Sequence, residues 1–338
     1  MLSNLLIIIS SLIIYLIQDD VIIPGFNNEA TAEKCREFMD CMGNHNLKFK
    51  GTCQSRGKVD PEITDDLGLV GYLGLGYFAP QDYFYLKIPK FHLNKKVKGQ
   101  VETLRYFSGS TVEELKEFMQ FITLRTILSK TMAYWDCTGI ISVILSRFRQ
   151  LVREANKLAQ GVYDQPLPET ILDRFCHLVI NMEKLREYKY PRTHHLPSRD
   201  EQKFEILAFS DAGLHAKTVV QYTKSVDQPI NTVSFLSAKN YLCKAIDSIA
   251  RSELDACFKN SLLVEAQTRN LSPYIVKKVC FIDSMICCHW ILNDAVALQV
   301  YQRTRVLQIR KTFTDENGIL QIYWTSGKGS NNPANTGK

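Results

Sequence analysis

The order of apolar patterns after residue 203 restricts the fold of this chain more than any other feature. Three short segments joined by turns come first and predict β-strands, at residues 204–209, 217–223 and 232–238. Patterns typical of helix, strand, helix, helix and strand then follow, at residues 252–267, 276–282, 284–292, 301–313 and 320–325. Three strands followed by alternating helices and strands predict a mixed α/β domain.

The residues before 191 contain longer helical patterns and one β-hairpin pattern. Residues 30–43, most of 118–159 and 169–187 have helical spacing, and Thr111 forms a capping-box pattern with Glu114. Residues 67–88 are rich in Tyr, Phe, Leu and Gly, which favours a β-hairpin. Residues 191–203 are polar and contain prolines, so they are the best candidate for a linker.

The length, the charge and the cysteines limit the class of protein. A chain of 338 residues is long enough for two or three domains with their own cores. The net charge of +6 permits a nucleic-acid partner without requiring one. The ten cysteines are scattered through apolar runs, which indicates buried free thiols in a reducing, cytoplasmic compartment rather than disulfides. The spacing of Cys35, Cys41, His45 and Cys53 fits no common zinc site.

Residues 5–17 form an almost wholly apolar run near the N-terminus. No Lys or Arg precedes the run and no small-residue cleavage site follows it, so it is not typical of a signal peptide. It is also short for a membrane span, because Gln18, Asp19 and Asp20 end it. A buried β-strand is the favoured interpretation, and a membrane anchor is the lesser alternative.

Three acidic residues occupy positions from which they can converge. Asp211 follows the first predicted strand, Glu253 opens the helix that Ser252 is expected to cap, and Asp283 ends a second apolar strand. Such carboxylates can meet at one edge of a sheet, where their repulsion is tolerable if divalent cations lie between them. Each could instead be an ordinary turn or cap residue, because acidic side chains are common near helix starts.

Several short motifs resemble the ribonuclease H domain of BEL/Pao-type LTR retrotransposons. They occur in the family's order, which makes them more specific together than singly. They are Phe209-Ser210-Asp211-Ala212-Gly213, Ser237-Ala238-Lys239, the run SIARSEL at residues 248–254, Asp283-Ser284 with His289-Trp290, and Asn332-Pro333-Ala334-Asn335. The resemblance implies a ribonuclease H-like mixed sheet with flanking helices, in which Asp211, Glu253 and Asp283 bind metal.

The resemblance extends upstream of the predicted sheet. Residues 124–129 and 135–142 are similar to the family's connecting region, and residues 71–88 are similar to the strand pair after the polymerase palm. Asp19 and Asp20 stand where the reverse transcriptase has its paired aspartates. The implied organisation is an α+β palm remnant, a largely helical thumb and connection region, a linker and the ribonuclease H-like domain, at residues 1–66, 67–190, 191–203 and 204–338.

The resemblance implies an ancestral nuclease that cuts the RNA strand of RNA–DNA hybrids with two Mg²⁺ or Mn²⁺ ions. Asp211 and Asp283 would bridge the metals, and Glu253 would hold one of them. Asn335 stands where the family has a fourth carboxylate, so it is expected to be a weak, neutral ligand. The third polymerase aspartate precedes the paired aspartates in the family and has no counterpart here, so no reverse transcriptase activity is expected.

Basic residues of the helix predicted at 301–313 are candidate contacts for nucleic-acid phosphates. They are Arg303, Arg305 and Arg310. The alternative for such a run of charges is a solvated helix face. The alternative for the whole chain is a catalytically inactive remnant that at most binds nucleic acid.

Overall fold

The computed structural model describes residues 15–17, 20–22, 28–46, 49–54, 59–72, 74–90, 107–191, 203–226, 233–244, 247–271, 274–294, 297–325 and 332–334. The chain divides into two compact units. The first consists of Met1–Ile88 and Leu185–Thr193, and the second consists of Pro89–Lys184 and His194–Lys338. Within these described ranges, no helix has both the length and the apolar composition that crossing a membrane requires. The domain boundaries expected at 66, 190 and 203 stay predictions.

The first unit contains a short hairpin, a long helix and an antiparallel sheet. Strands β1 (Tyr15–Ile17) and β2 (Asp20–Ile22) pair antiparallel, so the end of the N-terminal apolar run is a strand, as predicted. Helix α1 spans Asn28–Asn44. The sheet consists of β3 (Val70–Tyr72), β4 (Leu75–Phe78), β5 (Tyr83–Leu86) and β6 (Lys189–Pro191), in that order. Its first strands confirm the hairpin pattern at residues 67–88.

Helices come first in the second unit. They are α2 (Val112–Met119), α3 (Leu124–Ala133), α4 (Ser142–Ala159) and α5 (Glu169–Glu183). The predicted capping box at the start of α2 is present, because Glu114 N donates to Thr111 Oγ1 and Thr111 N donates to Glu114 Oε2. These two bonds satisfy backbone donors that a helix start leaves open.

A five-stranded mixed sheet follows the helices. Its strands in chain order are β7 (Phe204–Ala212), β8 (Ala216–Ser225), β9 (Val233–Leu242), β10 (Ile275–Ile282) and β11 (Ile322–Trp324). They lie side by side in the order β11-β10-β7-β8-β9. Strands β7, β8 and β9 pair antiparallel, whereas β10 runs parallel to β7 and β11 runs parallel to β10.

Three helices connect the later strands of this sheet. Helix α6 (Ile249–Leu271) joins β9 to β10, and helices α7 (Met285–Leu292) and α8 (Val300–Phe313) join β10 to β11. Phe204, Ile206 and Ala208 alternate along β7 and form one buried core with side chains of the three helices. This packing follows from the two-residue period of a strand, and it fixes α6 against one face of the sheet.

The segment before helix α4 lies against the edge strand β9. Ala238 N on β9 donates to Thr138 O at 3.0 Å. Gly139 has a φ of +86°, and a Cβ on it would lie 1.7 Å from Ala238 O, so the close approach requires glycine here. Covering an edge strand blocks its unpaired backbone groups from pairing with another chain.

Helix α4 continues this contact through two arginines. Arg149 donates to Asn240 O at 3.2 Å, and Arg153 donates to Cys243 O at 2.8 Å. The helical region before residue 184 and the five-stranded sheet therefore belong to one packed unit, and α4 fixes the end of β9.

Candidate metal centre

Asp211 is the next-to-last residue of strand β7. The strand extends to Ala212, three residues beyond its predicted end, because pairing with β8 continues as far as Lys217. Asp211 therefore lies within the strand rather than after it, and its side chain is 0% exposed.

Glu253 lies in the second turn of helix α6. The helix begins at Ile249, three residues earlier than predicted, and Ser248 Oγ accepts a hydrogen bond from Arg251 N at 3.3 Å. The prediction that Ser252 caps this helix is wrong, since Ser252 is buried inside it. Either serine could accept a bond from an open backbone donor, and the apolar pattern does not distinguish them.

Asp283 directly follows strand β10, as predicted. Ser284 caps the next helix, because its Oγ accepts a hydrogen bond from Cys287 N at 3.4 Å. The indole of Trp324 on the neighbouring strand β11 donates to Asp283 O at 3.1 Å. The backbone that carries Asp283 is therefore held from two sides.

Three elements thus bring three carboxylates to one end of the sheet. Asp211, Glu253 and Asp283 each offer a ligand oxygen, and these oxygens lie within 4.8 Å of one another. Two oxygens on the same Mg²⁺ lie at most about 4.2 Å apart, since each is about 2.1 Å from the ion. A small decrease in the distances between the three oxygens would let them bind the same cation. A set of oxygen ligands suits the hard ions Mg²⁺ and Mn²⁺. In the described part of the chain, no other cluster of three metal-ligating side chains occurs.

Buried thiols next to this centre are poor competitors for a cation. A hydrogen bond to Cys280 and burial raise the pKa of Cys257, and burial raises the pKa of Cys287 and that of Cys288, the latter to about 11. These thiols are protonated at neutral pH, and the thiolate is the form that binds metal. All ten cysteines are free, and the buried ones are Cys176, Cys243, Cys257, Cys280, Cys287 and Cys288. The prediction of buried free thiols is confirmed for these six.

Asn332 anchors the last described residues beside the centre. Its Nδ2 donates to Ser210 O at 3.1 Å, and its Oδ1 accepts from Ala334 N at 3.0 Å. Ser210 directly precedes Asp211, so this bond holds residues 332–334 at the end of β7. Asn335, the fourth residue of this motif and the one expected to be a weak ligand, lies outside the described residues.

The arginines predicted to contact nucleic acid lie on helix α8 and differ in their surroundings. Arg303 is exposed. Arg305 Nε donates to Asp255 Oδ1 at 2.9 Å, and its guanidinium lies 3.6 Å from the centre of the Tyr301 ring. Arg310 donates to Ile291 O at 2.7 Å and pairs with Asp294. Two of the three are thus engaged within the protein, and their contact with phosphate stays a prediction.

Asp255 forms a buried ion cluster two residues after Glu253. Lys217 Nζ lies 2.9 Å from Asp255 Oδ2 and 3.6 Å from Asp247 Oδ2. Burial by itself would raise the pKa of Asp255, but the bonds and charges of Lys217 and Arg305 outweigh it and hold that pKa below its usual value. Burial would lower the pKa of Lys217, but the bond and charge of Asp255 raise it. No sequence motif marks these residues, so the sequence alone does not predict the cluster.

The structure describes only one of the two aspartates that resemble the polymerase pair. Asp19 lies outside the described residues, and Asp20 is described as the first backbone position of β2. Their polymerase ancestry and the absence of reverse transcriptase activity stay predictions. Nucleotide incorporation by the purified chain on a primed template would refute the second.

The strand order and the carboxylates together define the class of the second unit. Three antiparallel strands are followed by two strands parallel to the first, with β7 central, which is a ribonuclease H-like sheet. Residues 123–284 match the family model of the Pao retrotransposon-like RNaseH-like domain. The BEL/Pao-type resemblance is therefore confirmed for these residues. The match includes helices α3 and α4 and all three carboxylates.

Solved structures with similar chains include viral and bacterial examples. The foamy viral protease-reverse transcriptase with an RNA/DNA hybrid is 10% identical with a TM-score of 0.46, over 96% of this chain and 37% of that chain. The foamy viral protease-reverse transcriptase dRH with double-stranded DNA is 11% identical with a TM-score of 0.46, over 96% and 48%. This chain thus spans less than half of each foamy viral chain.

A bacterial domain is similar over a shorter stretch. The N-terminal RNase H domain of a Mycobacterium tuberculosis protein, fused to maltose-binding protein, is 8% identical with a TM-score of 0.26, over 36% of this chain and 83% of that one. No curated protein matches the chain. The family assignment therefore depends on the family model.

Proposed function

We propose that this chain is a divalent-metal-dependent nuclease that hydrolyses the RNA strand of RNA–DNA hybrids. The observation that carries the proposal is the convergence of Asp211, Glu253 and Asp283 within 4.8 Å, in residues that match the Pao family model. Carboxylates of like charge repel one another at this spacing, so a bound cation would favour the arrangement.

Each carboxylate has a separate role in this proposal. Asp211 and Asp283, at the ends of neighbouring parallel strands, would hold the cations between them, and Glu253 would hold one cation from the helix side. Mg²⁺ or Mn²⁺ bound there would activate the attacking water and stabilise the leaving oxygen. Arg303 is exposed and would contact a phosphate of the hybrid. We place the protein in the cytoplasm, since a reducing compartment keeps its ten cysteines free.

A catalytically inactive remnant that at most binds nucleic acid is the second candidate. Asn335 favours it, because an amide stands where the family has a fourth carboxylate. An amide oxygen can coordinate a cation, but it supplies no negative charge and so binds the cation more weakly.

Cleavage of a hybrid with a labelled RNA strand, in Mg²⁺ or Mn²⁺, separates the two candidates. We expect the chain to cut the RNA strand and Asp211→Asn to abolish cutting. Asp173→Asn, the same change at a half-buried aspartate of helix α5 that pairs with Lys116, is the matched control and should cut normally. Hybrid binding without cleavage in either ion would contradict the nuclease and support the remnant.

A further inference from the structure

A row of buried polar residues crosses the sheet from the candidate metal centre to helix α4. Asp211 on β7 is paired with Thr218 on β8, and Thr218 is paired with Asn240 on β9. Ser142, the first residue of α4, donates from its Oγ to Asn240 Oδ1 at 3.5 Å. The exposed fractions of Asp211, Thr218, Asn240 and Ser142 are 0%, 1%, 3% and 6%. Four buried polar side chains in one row are unusual unless they serve each other or a ligand.

Thr218 is the member of this row next to Asp211. Side chains directly opposite each other on antiparallel strands share a face, with Cβ atoms about 4.5–5.5 Å apart. Thr218 Oγ1 is buried and has no hydrogen-bond partner among the residues that the structure describes. A hydroxyl can both donate and accept, and burying one without a partner costs free energy. A hydroxyl in this position is therefore poised for the carboxylate beside it.

The far end of the row is fixed by the segment that precedes the sheet. Arg149 on α4 donates to Asn240 O, and Ser142 donates to the Asn240 side chain. Asn240 in turn lies directly opposite Thr218. Helix α4 therefore restricts the strand that flanks Thr218, so that the threonine has little freedom to move away from Asp211.

We propose that Thr218 is a positioning residue for the candidate metal centre, whose hydroxyl donates to the Asp211 carboxylate when that carboxylate holds a divalent cation. The inference rests on the proposed function, because it requires Asp211 to be a metal ligand. Groups that hydrogen-bond to a ligating carboxylate orient it, and their loss weakens metal binding by about 10–100-fold.

Calorimetric titration of the whole chain with Mn²⁺ tests this role without relying on cleavage. Thr218→Val keeps the shape of the side chain and removes the hydroxyl, so we expect about 10-fold weaker Mn²⁺ binding. Thr223→Val is the matched control, because Thr223 is buried on the same strand and its Oγ1 also has no partner among the described residues. Thr223 is five residues away and on the opposite face, so its substitution should leave Mn²⁺ affinity within about twofold of wild type.

The variants distinguish failure of this role from failure of the proposed function. Absence of Mn²⁺ binding by the wild-type chain would overturn both. Wild-type affinity in Thr218→Val, with binding lost in Asp211→Asn, would overturn the positioning role alone. Equal losses in Thr218→Val and Thr223→Val would also overturn it, since they would indicate a general change in β8. Thr218→Ser retains a hydroxyl and should restore binding, including where Thr218→Val fails to fold; failure of this rescue would contradict the proposal.

Discussion

Two buried carboxylates in the first turns of helix α6 have neighbours of opposite charge. Glu253 and Asp255 are each 8% exposed and lie two residues apart, so they point to nearly opposite sides of the helix. Asp255 meets the cations Lys217 and Arg305. Glu253 meets the carboxylates Asp211 and Asp283.

Under the proposed function, this difference separates a structural charge from one that would hold a cation. At Asp255 the protein supplies the opposite charge itself, so the ionised form of the carboxylate is favoured over the neutral form. At Glu253 the fold concentrates like charges, which opposes folding unless a cation is bound. Burial alone therefore does not distinguish these two carboxylates, whereas the charges of the neighbours named here do.

The largest expected effect is the loss of hybrid cleavage in the Glu253→Gln variant. Loss of this proposed metal ligand should reduce hybrid cleavage by more than about 100-fold, which exceeds the usual effect of losing a residue that only hydrogen-bonds to a ligand. The free energy of unfolding without metal should not fall, because one of three repelling charges is removed. Initial cleavage rates and urea unfolding in EDTA measure the two quantities. Cleavage at the wild-type rate in this variant would contradict the proposal that Glu253 holds a cation, and with it the contrast between Glu253 and Asp255.

Asp255→Ala should instead act on stability. It leaves Lys217 and Arg305 without their shared partner, so the free energy of unfolding should fall by about 3–5 kcal/mol. Glu253→Ala is the matched control and should cost less than about 1 kcal/mol in EDTA, because it also relieves repulsion. Urea unfolding of both variants measures the difference, and equal losses would contradict the comparison.

Gly139→Ala tests the contact between the connecting segment and β9. Its Cβ would lie 1.7 Å from Ala238 O, and its φ is +86°, so we expect a loss of about 2–3 kcal/mol in the free energy of unfolding. Gly161→Ala is the control, since Gly161 has a φ of +87° but no described atom within 4 Å of an added Cβ. It should cost about 1 kcal/mol. Equal losses would mean that backbone strain alone, rather than the approach to β9, accounts for the effect.

The contribution of the Asp255 cluster should depend on pH at both extremes. A folded-state pKa of Asp255 below its unfolded value stabilises the fold above about pH 4, and this stability is lost as the pH falls through the folded pKa. A raised pKa of Lys217 stabilises the fold below about pH 10, and this stability is lost as the pH rises through the folded pKa. The stability difference between wild type and Asp255→Ala should therefore be constant near pH 7 and shrink at both ends. Urea unfolding from about pH 2 to about pH 12 measures it, because the two losses occur below the usual pKa of an Asp and above that of a Lys. A pH-independent difference would rule out the ion cluster as its source.

The smallest expected effect is that of Asn335→Asp. Restoring a charge at the family's fourth carboxylate position should strengthen Mn²⁺ binding by about a few-fold, because the number of charged ligands tunes the affinity of oxygen sites. Calorimetry and the hybrid-cleavage rate measure the gain. An unchanged affinity would indicate that residue 335 does not take part in the centre.

The sequence by itself determined the order of strands and helices in the second unit, the capping box of Thr111 and the family, because periodicity, caps and motifs are local features. Tertiary structure decided how far each strand extends, which serine caps α6, and that Asp211, Glu253 and Asp283 converge. It also decided that Lys217 and Arg305 neutralise Asp255, that Asn332 binds beside Asp211, and that α4 covers β9. These features join residues tens of positions apart, and only the packing of α6, α4 and the last described residues against the sheet brings them into contact.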